Sequence, residues 1–258
     1  MPLAAPDNRR MYQTVAFDSW ASRTDLTAVE EMLVDRFLDK HGRTVEAGTG
    51  AGRILFDLDR RGFGDLHGFD YVPGFIDVAK RRDPAHAIDF TVQDAVDLDY
   101  SDGEFDQAVY LQQVLCFIED AADRRRAMDE AARILRRDGT ALFSFLCFEA
   151  RMNLPLYAAF ARYLGVQRRL RRRDVSLQYQ PWLKGGNRPN LSALLDRAPY
   201  VYWYRLREAL GELDHAGFDI TWTASTAQIE REPETALDPE TDDPARLHGM
   251  VYVACRRR

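Results

Sequence analysis

"VEAGTGAGRIL", residues 45–55, sets three glycines at alternate positions directly after an acidic residue. Upstream, "LTAVEEMLVDRFLDK" (26–40) places apolar residues at helical spacing, and "HGR" supplies a stop before the apolar entry to Val45. Downstream, "RILFDLDRRG" predicts a helix ending at Gly62 and "DLHGFD" a second strand. Strand, glycine turn, helix and strand make a βαβ unit, whose crossover is right-handed in nearly all proteins. The alternation continues. "PGFIDVAKRR" predicts a helix, "IDFTVQD" and "FDQAVYLQ" strands, "AADRRRAMDEAARILRR" a helix, and "GTALFSFLCF" a strand after the turn at Asp138-Gly139. Five strands alternating with helices predict an α/β, Rossmann-like, doubly wound sheet.

From about residue 149 the pattern changes. "MNLPLYAAFARYLGVQRRLRRR" predicts a helix with a basic end, and "QYQPWLKGGNRPNLSALLDRAPYVYWY" mixes turn formers with aromatic residues, as an insertion would. "RLREALGELDHAGFDITWTAST" restores a helix, stopped near Gly217, and a strand; "GMVYVAC" is a closing β-rich run. The acidic "EREPETALDPETDDPAR" between those strands reads as a solvated loop.

The chain has 258 residues, 46% of them hydrophobic, enough to bury a core as one large domain. Its net charge of −6 gives nucleic acid and anionic membranes no global attraction. Cys116, Cys147 and Cys255 are odd in number and widely spaced, which disfavours disulfides and structural zinc; no metal is expected. The N-terminal residues lack the apolar run of a signal peptide and no later run suits a membrane span, so a soluble, cytoplasmic protein is expected.

The glycines admit several ligands. A phosphate-binding P-loop needs a lysine that is absent here, and a dinucleotide fingerprint needs glycine where Arg53 stands. Glu46 at the first strand end would repel a pyrophosphate and favour an ammonium group. Tight strand–helix packing alone would also account for Gly48, Gly50 and Gly52. Context argues for a ligand. Asp70 closes the second strand, where a carboxylate accepts both ribose hydroxyls, and Asp94 ends the third, where an acceptor can receive the adenine amine.

These stretches, with "GFDYVPGFIDVAK", "FTVQDAVDLDYSDGEFDQAVYLQQVL" and "EAARILRRDGTALFSF", resemble the class I S-adenosylmethionine-dependent methyltransferases of the small-molecule-like branch, over roughly residues 40–146. The resemblance implies a seven-stranded, mostly parallel sheet with an antiparallel last strand, and S-adenosylmethionine as cofactor. It implies that Gly48, Gly50 and Gly52 border the methionine moiety with Glu46 near its ammonium, that Asp70, with Tyr71, holds the ribose, that Asp94 and Ala95 hold the adenine, and that Gln112 lines the floor. The expected organisation is one domain over 1–258: an N-terminal helical lid (1–40), a cofactor-binding core (41–146), a helical, aromatic substrate cap inserted after the fifth strand (147–204), and a C-terminal helix with the closing strands (205–258).

Around that core, Tyr12, Phe17 and Trp20 form an aromatic segment that could fold over the cofactor, Tyr12 being the lid candidate. Gln113 and Cys116 follow the fourth strand near the switch point, while Tyr179, Trp182, Tyr200 and Tyr202 supply apolar surface with polar tips. His248 precedes the last strand and is the candidate base for a hydroxyl acceptor. "RRLRRR" (168–173) reads as a solvated helix end, or else as a phosphate, RNA or acidic-lipid contact. The expected function is methyl transfer to oxygen or nitrogen of a small, aromatic or partly apolar molecule. The alternatives are RNA or protein methylation by the arginine-rich cap, and a non-catalytic regulatory protein that keeps the fold.

Overall fold

A computed structural model describes residues 25–185, 188–232, 236–237 and 247–258; Tyr12, Phe17 and Trp20 lie outside the described residues. In chain order the described elements begin with α1 (Ala28–Phe37), β1 (Thr44–Ala47), α2 (Arg53–Arg60), β2 (Leu66–Asp70), α3 (Pro73–Arg82), β3 (Ile88–Val92) and β4 (Phe105–Tyr110). A 3₁₀ turn (Val114–Phe117) leads to α4 (Ala121–Ile134) and β5 (Leu135–Leu146). The cap follows with α5 (Phe148–Met152), α6 (Pro155–Leu170), β6 (Tyr179–Pro181), the short pair β7 (Lys184–Gly185) and β8 (Arg188–Pro189), and β9 (Tyr200–Tyr202). The chain then returns through α7 (Leu206–His215), β10 (Phe218–Ser225), α8 (Thr226–Arg231) and β11 (Met250–Arg257).

The sheet is seven-stranded with order β10-β11-β5-β4-β1-β2-β3. Pairing from β3 through β5 is parallel, whereas β11 runs antiparallel to both β5 and β10. This is the Rossmann-like sheet with one reversed strand. The chain leaves β1 toward β2 and β3, then crosses back to β4 on the other side, so the switch point lies between β1 and β4. Every residue of β1 is buried, as expected for a central parallel strand covered on both faces.

Alternation along the strands divides the core into two layers. Phe143 and Phe145 of β5 and Val251, Val253 and Cys255 of β11 pack on one face with Ala127, Met128 and Ala131 of α4 and Leu213 of α7. Leu142, Tyr252 and Ala254 point to the other face, with Leu33 and Val34 of α1, Leu55 and Leu58 of α2, and Ile229 of α8.

Four sequence expectations need correction. The α4 helix stops at Ile134 and does not continue through Arg137: Leu135 turns extended, and Arg136 pairs with Asp106 of β4. The helix expected from Met152 is broken: Pro155 lacks an N–H, and Leu154 before it is extended, so α5 ends and α6 begins anew. Helix α8 sits where a strand was expected to run into a loop, capped at Ser225 with Gln228 reaching back to the cap backbone. Finally, "RRLRRR" is not simply a solvated helix end. Arg168 is 3% exposed and makes a two-point ion pair with Asp196, itself 1% exposed, while Arg173 reaches the same carboxylate.

That pair joins α6 to the segment before β9, and Asp196→Asn should expose its worth. Removing the charge leaves a buried guanidinium unpaired, a cost of about 3–5 kcal/mol. Urea denaturation should show this loss, and an unchanged midpoint would mean the cap does not depend on the pair.

Candidate functional site

The glycine turn is built by its backbone. Gly48, Gly50 and Gly52 have φ of 60°, 55° and 82°, the left-handed region. At Gly52 a Cβ would also meet Phe56 and Phe90 at 2.8 Å, so packing and backbone both demand glycine. Gly50 differs, since a Cβ there would meet nothing within 4 Å. Its backbone borders open space at the carboxyl edge, where a ligand can approach it.

Two buried carboxylates flank the turn. Glu46, 4% exposed, accepts a 2.7 Å hydrogen bond from Thr49 Oγ1, and Asp70 accepts from Gly50 N at 3.0 Å and Val72 N at 2.9 Å. Desolvation pushes Glu46 up to about 8, the Thr49 hydroxyl and Arg53 only partly offsetting it. Desolvation likewise raises Asp70 to about 6, against the two backbone donors. Such groups gain most from a ligand that brings positive charge or hydroxyl donors. Each Asp70 oxygen uses one backbone donor and keeps a second acceptor site.

Beneath the turn lies a network the sequence did not reveal. Arg53 Nη1 and Nη2 donate to Glu30 at 2.8 and 2.7 Å, and Gln112 Nε2 donates to the same carboxylate. Burial acts to raise Glu30, but the Arg53 guanidinium outweighs it and holds the carboxyl below its ordinary value. Thr27 and Glu30 also form the capping box of α1, so one residue starts the helix and anchors the turn. The available signal was Arg53 standing where a dinucleotide fingerprint has glycine.

Gln112 and Gln113, just past β4, both adopt left-handed φ (58° and 61°), uncommon for non-glycine residues. Glu30 holds the first, and Ser144 Oγ accepts from the second's backbone N–H at 2.9 Å. Asp94 lies two residues beyond the end of β3, because that strand stops at Val92; it is exposed and accepts from Val96 N at 3.3 Å. Ala95 is buried in the core, and Tyr71 follows Asp70 partly buried. His248 is exposed, two residues before β11, whose Met250 pairs with Leu146 at the end of β5. It therefore sits on the carboxyl edge with Glu46, Asp70, Gln112 and Gln113.

The pocket candidates divide. Tyr179, Trp182 and Gln113 are half-buried. Cys116 is corrected from a pocket residue to a packing one: it is buried, its sulfur accepts from Leu146 N at 3.2 Å, and desolvation pushes the thiol up to about 12. Tyr200 is similarly a packing residue, since its buried hydroxyl donates to the Asp196 carbonyl at 2.6 Å. Tyr202 is buried too, its ring 3.6 Å from the Arg124 guanidinium and its hydroxyl bonded to Glu208. Among the described residues no three His, Cys, Asp or Glu side chains gather as metal ligands would.

Residues 45–143 match the family described as a methyltransferase domain. No curated protein sequence matches the chain. Among solved structures, a SAM-dependent methyltransferase of Methanosarcina mazei is 18% identical with a TM-score of 0.65, over 90% of this chain and 98% of that one. The methyltransferase in complex with the Trm112 methyltransferase activator of Haloferax volcanii is 19% identical (TM-score 0.60; 96% of each chain). The [4+2]-cyclase SpnF is 17% identical (TM-score 0.62; 100% of this chain and 98% of that one). At these identities the likeness is one of fold.

The raised Glu46 and Asp70 carboxyls set a pH dependence. A carboxyl whose folded pKa lies above its unfolded value binds protons more tightly when folded, so its stabilisation is complete below the unfolded pKa and lost as pH rises through the folded one. For Glu46 that window runs from 4.5 to about 8. The ligand-free melting temperature should fall across this window, and Glu46→Gln, which keeps an acceptor for Thr49, should flatten the fall. An identical slope in the variant would show that Glu46 does not titrate there.

Proposed function

We propose that this chain, a class I S-adenosylmethionine-dependent methyltransferase by its matched domain and its fold, methylates an oxygen or nitrogen of a small, aromatic or partly apolar molecule. The residues present suit the cofactor. Glu46 would stand near its ammonium, Asp70 would receive the ribose hydroxyls, and Gly50 leaves its backbone open to approach. Asp94 and Ala95 would border the adenine and Gln112 the methionine part. When bound, the cofactor supplies a methyl group already activated by its sulfonium. The protein's share is therefore to align an acceptor and exclude water.

The observation that supports the small-molecule reading is that Arg168 and Arg173 of the cap, and Arg124 of α4 beside it, turn inward, while Arg169, Arg171 and Arg172 stay exposed. Arg168 and Arg173 are taken up by Asp196, and Arg124 lies over the rings of Tyr179, Tyr202 and Tyr204 while donating to the carbonyls of Ile118 and Glu119. This leaves half-buried rings, Tyr179, Trp182 and Trp203, and weakens the case for a track of phosphate contacts. His248 is the residue we assign to take the proton of a hydroxyl acceptor; an amine that is already neutral needs no such base.

Methyl transfer should be screened against phenols, amines and carboxylic acids, with tRNA and protein substrates alongside. Turnover of a small acceptor is expected, and exclusive turnover of tRNA or protein would replace this reading. Calorimetry with S-adenosylhomocysteine should show Asp70→Ala weakening binding by about 1–3 kcal/mol, through loss of a charge-assisted contact. Gly50→Val should abolish it through the strained left-handed backbone. Unchanged affinity in Asp70→Ala would misplace the ribose, and full affinity in Gly50→Val would refute close backbone approach.

A further inference from the structure

Among the described residues, the three most buried arginines find their partners within the protein, although Arg124 leaves its Nε unbonded. Arg53 has Glu30 and Arg168 has Asp196 as buried ion partners. Arg124, also buried, donates to two backbone carbonyls and the Tyr179 hydroxyl. Arg151 is treated differently. It lies in α5, five residues beyond the end of β5, with its guanidinium carbon 3.9 Å from the Tyr157 ring centre and 4.0 Å from that of Trp203. Its Nε donates to Gln180 Oε1 at 2.6 Å. No carboxylate among the described residues pairs with it.

The arrangement costs energy as it stands. Burial pushes Arg151 down to about 10, with Tyr157 offsetting only part of the effect. A desolvated guanidinium without an anion is unfavourable, and an anion arriving from outside would relieve that cost. Meanwhile the two rings fix the plane of the guanidinium and Gln180 fixes its Nε. The terminal nitrogens are thus oriented before any ligand arrives, which lowers the entropy of binding a planar oxyanion.

Its place in the fold connects this cation to the reaction. α5 follows β5 at the carboxyl edge of the sheet, and Asn153 Nδ2, at its end, donates to Leu247 O at 2.9 Å. Leu247 directly precedes His248. The loop assigned to the acceptor's proton and the helix carrying Arg151 are therefore tied together.

We propose that Arg151 is the anchor for an anionic oxygen group, a carboxylate or a phosphate, on the methyl acceptor, so that the substrate class is a small aromatic or partly apolar acid. This rests on the methyltransferase reading and adds to it the charge of the substrate. Arg151 makes two charge-assisted hydrogen bonds to the anion, while Tyr157 and Trp203 hold it in plane.

The test uses benzoate, phenyl phosphate and the neutral isostere benzamide as calorimetric probes of the full chain saturated with S-adenosylhomocysteine. Benzoate or phenyl phosphate should bind and benzamide should not, the tighter of the two anions identifying the group. Arg151→Gln should weaken anion binding by about tenfold or more, and Arg151→Lys, which keeps the charge without the fork, by less. Both variants should retain the wild-type affinity for S-adenosylhomocysteine, which also reports that they fold. Binding of neither anion, equal binding of benzoate and benzamide, or unchanged anion affinity in Arg151→Gln would overturn the proposal. So would a parallel loss of S-adenosylhomocysteine affinity, which would assign Arg151 to the cofactor's own carboxylate. Should S-adenosylhomocysteine fail to bind the wild type, the cofactor reading fails separately, and the same anion titrations without it still decide the role of Arg151.

Discussion

The two-point ion pair between Arg53 and Glu30 is the contact on which the site depends. Arg53 begins α2, immediately after Gly52, and Glu30 lies in the first turn of α1, so the pair clamps the glycine turn from below. Gln112 adds the end of β4 to the same carboxylate, joining both sides of the switch point through one side chain. Buried ion pairs gain little net stability over an apolar substitute, but they penalise misplacement severely. Here the penalty falls on any movement of α1, the turn or the β4 end relative to one another.

Charge distribution around this clamp has a direction. Glu30 is held ionised by its partner, whereas Glu46 and Asp70 are buried above with far less compensation, and burial raises both. The cationic requirement is thereby concentrated on the ligand side of the turn. Across the cap the sign reverses at Arg151, a desolvated cation without a carboxylate among the described residues. The carboxyl edge thus presents acidic groups around the glycine turn and a basic group on the cap side, the places our reading gives to cofactor and acceptor.

The order of strands and helices was legible because its signals are local: period-two runs in β5 and β11, turn glycines, and helical spacing in α1 and α4. Glu46, Gly50 and Asp70 were legible for the same reason, as each closes a strand or forms a turn. The ion pairs were not, since Glu30 and Arg53 are 23 residues apart and Arg168 and Asp196 are 28 apart. Nothing in a basic run says which arginine will turn inward to meet a distant aspartate. Cys116 and Tyr200 looked like pocket residues for a related reason: their positions near the switch point and in the cap were readable, but their orientation depended on the neighbours that buried them. The break before α6 is legible in Pro155, whereas α8 falls where a strand pattern runs into polar sequence and only its Ser225–Gln228 cap marks it.

Strand β11 enters the sheet with Met250 opposite Leu146, which brings two covalently distant segments to one rim: the chain leaving β5 and the chain arriving at β11. Neither segment contributes to β1, β2 or the glycine turn. Changes in length or composition at that rim can therefore leave β1, β2 and the glycine turn untouched. The reversed strand is, in that sense, a boundary between a part under tight geometric constraint and a part free to diversify.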